Sequence, residues 1–168
     1  MGLTITSAGA EALDRLRPLW LELHHHHQAV GGPVLGPYVD DDASWSARRT
    51  LYTDFLAGGG FAVLAERDGE LIGYAMVAVK TSVETELDDT WRAGARVAEI
   101  ETLSVAPAAR GAGVGSALLD RVDAELEAAG IHDVLIAAFA TNADAIRLYE
   151  RRGFRPASLH LIRLAART

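Results

Sequence analysis

Between residues 103 and 119 the chain reads LSVAPAARGAGVGSALL, and Arg110, Gly111, Gly113 and Gly115 within it have the types and spacing to hold an anion. An apolar run ending at Pro107 gives way to a glycine-rich turn. The turn leads directly into a helical pattern, with Val114, Leu118, Val122 and Leu126 four apart. A strand–turn–helix junction of this kind aims unpaired backbone N–H groups, with the helix dipole behind them, at one point in space. Glycine lets the backbone come close to an anion without a Cβ in the way, and Arg110 adds positive charge. The chemistry expected is a pyrophosphate cradle. It is not a Walker loop, because the Gly-Lys-Ser/Thr ending is missing, and the Gly-x-Gly-x-x-Gly of a dinucleotide-binding fold is absent too. A glycine-rich loop with no ligand is the alternative that this spacing alone leaves open.

The elements that must carry this loop can be read from periodicity. Leu13, Leu16, Trp20, Leu23 and His27 recur at three- and four-residue steps, which predicts a helix over residues 10–30, kinked or restarted at Pro18. GGPVLGPYVDDD breaks the pattern, and Ser44 is the expected cap of a second helix over about 45–57, ended by the glycines at 58–60. Two apolar runs flank Asp68-Gly69, a pair suited to a tight hairpin turn. SVETELDDTWRAGA is expected to be a loop, and RVAEIETLSVAP a third strand stopped by Pro107. After the helix over 114–129 come a buried strand in DVLIAAFA, a short helix capped by Asn142 and ending at Gly153, and a last strand in SLHLIRLA. A meander followed by a strand–helix–strand unit implies a mixed sheet with helices on it. No repeat or linker divides the 168 residues, so one domain, 1–168, is expected.

Two stretches together resemble a known family, the GNAT superfamily of acyl-CoA N-acyltransferases. Arg110, Gly113 and Gly115 match its Gln/Arg-x-x-Gly-x-Gly/Ala signature, after Leu103, Val105 and Pro107 in its LxVxP strand. Some 30 residues on, NADAIRLYERRGF, from Asn142 to Phe154, matches the second signature. The resemblance implies an α/β (α+β type) fold: a mixed, mostly antiparallel sheet with splayed central parallel strands and helices on both faces. It implies acetyl-CoA as cosubstrate, with no metal. The coenzyme's pyrophosphate would lie on the amides of Arg110, Gly111, Ala112, Gly113, Val114, Gly115 and Ser116, and its pantetheine arm along Leu103, Ser104 and Val105. Asn142 would touch that arm. Tyr149 matches the tyrosine that protonates the departing thiolate, a role that needs a proton donor within hydrogen-bond reach of the sulfur. Glu101, in the E-x-L-x-V strand, is the base expected for the attacking amine. Glu99 is held in reserve, because regular alternation puts Glu99, Glu101, Leu103 and Val105 on one face and a bulge would alter that parity. The implied activity is N-acetyl transfer to a primary amine by direct attack in a ternary complex. A non-catalytic acyl-CoA sensor and an acetyltransferase for protein N-termini or lysines are the alternatives.

Bulk composition narrows the partners. The chain has no cysteine, hence no thiolate metal site and no acyl-cysteine intermediate. A formal net charge of −7 argues against nucleic acid. No apolar run approaches the ~18 residues of a membrane span, and no signal peptide is apparent, which suits a cytoplasmic location. The expected acceptor is a small amine or polyamine, or a peptide, to which the carboxylates at 40–42 and in the 82–95 loop would be attractive unless they are, as surface charges commonly are, merely solvated; a homodimer is one assembly left open.

Four consecutive histidines, His24 to His27, interrupt the first helix. They diverge by about 100° per residue, so they cannot act as one cluster. Projection puts His27 at the centre of the apolar face, His24 and His26 on its flanks and His25 outside. Core or helix packing is the leading expectation for the run, a place for His24 or His27 in the lining of the acceptor pocket is the alternative, and no zinc-type spacing makes a metal site.

Overall fold

Residues 61–65 and, apart from Gly73, 71–79 are all apolar, the pattern of strands covered on both faces. The computed structural model, which describes residues 2–32, 35–85 and 90–164, has that arrangement. A five-stranded sheet runs in the order β1 (Leu3–Ala8), β2 (Phe61–Arg67), β3 (Glu70–Thr81), β4 (Arg96–Val105) and β5 (Asp133–Ile136). The first four are antiparallel neighbours, β2 to β4 as a meander and β1 added beside β2 after the intervening helices, and β5 joins β4 in parallel. The turn between β2 and β3 is the one foreseen, with both Asp68 and Gly69 at positive φ.

Alternation sends successive residues to two separate cores. Val63, Ala75, Val77 and Ile100 pack under α3 (Val114–Ala128), which buries Val114, Leu118, Leu119, Val122 and Leu126. Each such burial contributes roughly 1.5–3 kcal/mol relative to exposure. Leu64, Tyr74 and Met76 face the other way, against α1 (Arg17–Gly31) and α2 (Asp41–Ala57), with Leu16, Trp20 and Tyr52. Gly73 lets α3 sit close to the sheet: a Cβ there would meet Ser104 O at 3.0 Å, Leu118 at 3.2 Å and Val114 at 3.3 Å. The last helix, α4 (Ala143–Arg151), precedes Gly153.

Several expectations are corrected. The first helical stretch is 3-10 over Ala10–Leu16, and Pro18 stands in the first turn of α1, where its missing N–H costs nothing. α2 begins earlier than expected, because Asp40 and not Ser44 is its cap; Asp40 Oδ1 accepts from Ala43 N at 2.8 Å. Ser44 is instead buried and accepts from Trp20 Nε1 at 3.0 Å. β1 was not expected. It is an edge strand with mostly exposed side chains, so its apolar signal is weak. The expected last strand does not form among the described residues: 154–164 carry no regular structure, and Leu159, Leu161 and Ile162 are exposed. Among the described residues the parallel pair β4–β5 is therefore the last pair of the sheet.

Candidate functional site

β4 and β5 part company. They pair from Val97 to Ile100 against Asp133 to Ile136, and β4 then continues alone to Val105. Ala106 N donates to Ile72 O on the β3 side (2.8 Å), so strand alternation turns the N–H and C=O of Leu103 and Val105 away from β3, into the gap. Val105 O is taken there by Arg110 Nε at 3.0 Å. At the end of the gap stands the N-terminus of α3. Gly113 caps it in the left-handed region at φ 80°, a conformation glycine adopts without strain. The amide of Ala117 donates to Gly113 O (3.0 Å), leaving those of Val114, Gly115 and Ser116 without a carbonyl in the helix. No side chain caps this end and no acidic residue occupies its first turn, so its partial positive charge is not neutralised locally.

The gap opens into a groove of about 600 Å³. Leu103, Ser104, Val105, Arg110, Gly111, Gly113, Val114, Gly115 and Ser116 line one side, and Asn142, Leu148 and Tyr149 the other. Two sequence motifs some 30 residues apart thus meet across a single cleft. Ala112 is the one residue of the expected cradle outside its lining. The Ser104 hydroxyl is committed elsewhere, donating to Leu19 O at 2.9 Å and tying β4 to α1. Asn142 Oδ1 caps α4 by accepting from Ala145 N (3.3 Å). Tyr149 packs its ring on Phe154, and burial pushes its hydroxyl up to about 12. It therefore stays protonated through the physiological range.

Glu101 sits where β4 is irregular. Met76 pairs with Thr102 and Val77 with Ile100, leaving Glu101 as an extra residue without a partner on β3. The bulge changes the parity. Leu103 and Val105 pack on the α3 side, while Glu101 turns to α2 and pairs with Arg48 (Nη1 to Oε1, 2.7 Å). Glu101 thus shares no face with Leu103 and Val105. Glu99 is held by Lys80.

The histidines divide differently from the helical projection. His24 is the buried one: its Nε2 lies 3.1 Å from Val39 O and 2.8 Å from the Gln28 amide, and its ring stacks on Trp20. When protonated, Nε2 donates to Val39 O; when unprotonated, it accepts from the Gln28 Nε2 amide. His25 is exposed and pairs with Asp41 (2.8 Å). His27 lies edge-on to Trp20 and to Phe139. Burial, chiefly, and the neighbouring His26, Arg48 and His24 hold it down to about 4. The histidine that lines the groove is His26, together with Leu23, and neither His24 nor His27 does so. The i, i+3 spacing of Leu23 and His26 was a signal that could have found it.

Sequence reasoning missed Arg48, whose guanidinium lies 4.0 Å from the centre of the Trp20 ring. Nothing local marks it; its place depends on α2 crossing β4. Of the carboxylates expected to attract a cation, Asp41 pairs with His25 and Asp42 with Arg17 (2.7 Å). Glu86, Asp88 and Asp89 lie outside the described residues. Among the described residues no group of three or more His, Asp or Glu side chains is placed to hold a metal, and no helix is long and apolar enough to cross a membrane.

A mixed sheet that splays beside an uncapped helix N-terminus defines a class, and comparison with known proteins agrees. The acetyltransferase (GNAT) family matches residues 20–154, and the chain belongs to that family. Its relatives include a mycothiol acetyltransferase of Acidothermus cellulolyticus, 34% identical over 120 residues, which cover 68% of this chain and 36% of that protein. Another, from Streptomyces avermitilis, is 37% identical over 91 residues, 54% of this chain and 26% of that protein. The chain thus spans about a third or less of the length of these curated relatives. Among solved structures, a GCN5-related N-acetyltransferase from Ralstonia eutropha JMP134 superposes with a TM-score of 0.73 at 20% identity, covering 98% of this chain and 100% of that one. Aminoglycoside N-acetyltransferase AAC(6')-Iy, solved in complex with CoA, gives 0.69 at 19% identity, covering 99% and 96%. At these identities the likeness is one of fold.

Proposed function

We propose that the protein transfers an acetyl group from acetyl-CoA to a primary amine by direct attack in a ternary complex. The observation that carries this reading is the meeting of the two motifs across one groove, at the point where β4 leaves β5. The site fits the coenzyme in the chemistry of its donors. The free amides of Val114, Gly115 and Ser116, with Arg110 beside them, suit a pyrophosphate. The gap-facing backbone of Leu103 and Val105 suits the amides of a pantetheine arm, and the free N–H groups of the Asn142 side chain can reach the same cleft. Acetyl-CoA supplies the acyl group as an activated thioester.

The chain's own residues manage the protons. Tyr149 gives its hydroxyl proton to the leaving sulfur. Glu101 takes a proton from the amine, directly or through a water, with Oε2, since Oε1 is engaged by Arg48. With no cysteine available, the acyl group passes to the amine without a cysteinyl intermediate. The acceptor differs among the similar proteins, whose names include mycothiol and aminoglycoside acetyltransferases.

The test is a panel of amines, peptides and aminoglycosides incubated with acetyl-CoA, with release of free thiol as the readout. The protein contributes no thiol background. Thiol release that depends on the acceptor supports the reading. Tight coenzyme binding with no turnover on any acceptor would make the protein a sensor.

A further inference from the structure

Glu101 and Arg48 lie outside the lining of the groove, on the α2 side of β4, and Glu101, the proposed base, meets a cation where an amine-binding site would ordinarily be acidic. The three consecutive carboxylates at the start of α2 border a separate cleft with Arg17, His25 and Tyr38 and are engaged there: Asp40 caps α2, Asp41 pairs with His25 and Asp42 with Arg17. Glu99 is neutralised by Lys80. What stands beside Glu101 is Arg48, and it is held rigidly. Its guanidinium lies over Trp20, whose Nε1 is fixed by Ser44. Behind it Tyr52 meets Trp20 edge-on, and the Tyr52 hydroxyl is held by Thr102 (2.5 Å) and Tyr74 (3.0 Å). His27, on the same aromatic wall, is neutral at physiological pH and adds no second cation.

Both partners of the Arg48–Glu101 pair are only half used. A guanidinium carries five N–H donors in a planar fork. Among the described residues Arg48 has one acceptor, Glu101 Oε1, and Glu101 Oε2 has none. Each side chain remains about one-fifth exposed, at 21% and 22%. An incoming molecule therefore meets unfilled donors and an unfilled carboxylate oxygen side by side. A polyamine would satisfy the second and be repelled by the first. A zwitterion satisfies both, with its amine at Glu101 and its carboxylate on the free edge of the guanidinium, the geometry for which arginine is best suited.

We propose that the acceptor is an amine bearing a carboxylate next to the reacting nitrogen, of the α-amino acid class, and that Arg48, on its Trp20 platform, is the residue that selects it. This rests on the acyl-transfer reading of the site, and the test separates the two. Matched pairs are compared, each an α-amino acid and the amine left when its carboxylate is removed (phenylalanine against phenethylamine, for example). Turnover is measured with acetyl-CoA, and equilibrium binding with the CoA-loaded protein. The wild type is expected to favour the amino acid by at least about tenfold in both assays, the scale of one charge-assisted bidentate contact. Arg48→Gln is expected to collapse that ratio towards one. Arg48→Lys, which keeps the charge but not the fork, should fall between. Retained thermal stabilisation by CoA shows that each variant is folded. If Arg48 only steadies Glu101, Arg48→Gln lowers both members of a pair alike and leaves the ratio unchanged, which overturns the proposal. Equal binding of both members to the wild type, or binding of neither, overturns it too. Preferential binding of the amino acid with no thiol release upholds the selectivity of Arg48 and counts against acyl transfer.

Discussion

Tyr149 and His27 are both ionisable groups kept neutral by burial, with opposite consequences. For Tyr149 the retained proton is the one that the proposed acid step requires. Tyr149→Phe is expected to leave coenzyme affinity near wild type and to lower kcat by about 10²–10⁴ where chemistry limits the rate; steady-state kinetics with a binding measurement checks this. For His27 the missing proton is a liability in acid. Its folded pKa of about 4 lies below the ordinary 6.5, so between those values the unfolded chain binds a proton that the folded one refuses. Stability is therefore unaffected above about pH 6.5 and falls as pH drops towards 4. His27→Gln should flatten that part of a plot of Tm against pH, relative to wild type. At this scale the sequence was legible where a residue's neighbours are close in the chain. Tyr149 and Asn142 share one short motif, and both reach the groove. Arg48 and Glu101 are 53 positions apart and meet only because β4 bulges, which nothing in the string of letters around either residue announces.

Among elements, the α3 N-terminus has the clearest experimental signature. Gly113 is in the left-handed region, and Gly115 stands in the first turn with room for a Cβ at ordinary contact, 3.4 Å from Leu148. Gly113→Asp combines backbone strain with a negative charge at the cradle; Gly115→Asp supplies the charge without the strain. Acetyl-CoA at 100 times its Kd should stabilise the wild type by about 2.7 kcal/mol. Both variants should lose this in a thermal-shift titration, and loss in Gly115→Asp cannot be blamed on backbone strain. Helices α3 and α4 and the β2–β3 hairpin were readable because their punctuation is local: Pro107 and the glycines before α3, Asn142 and Gly153 around α4, Asp68-Gly69 in the turn; the start of α2 was not, since Asp40 and Ser44 are both suitable caps by sequence. The expected strand over SLHLIRLA rested on alternation alone. Alternation is necessary for a half-buried strand, but the neighbour that would complete it lies elsewhere in the chain, and among the described residues nothing pairs with it.

For the molecule as a whole, the sheet divides labour between its faces. α3 and its core position the loop and groove, while α1, α2 and the aromatic core position Arg48 and Glu101. Gly73, Ser104 and Thr102 lie where the two halves meet across β3 and β4. The parting of β4 from β5 has a consequence for amide exchange with deuterium. Leu103 and Val105 present their N–H groups to the gap, while Ala106 donates into the sheet and Ser104, by alternation, faces β3. In the free protein the amides at 103 and 105 should exchange quickly beside a slow Ser104, although all three sit in one strand. Coenzyme that lies along the gap as an extra strand would slow 103 and 105 and leave 104 unchanged. The free protein would then show an every-other-residue exchange pattern along β4, and the complex would erase it; uniform slowing across 103–105 would instead mean that the whole strand had tightened.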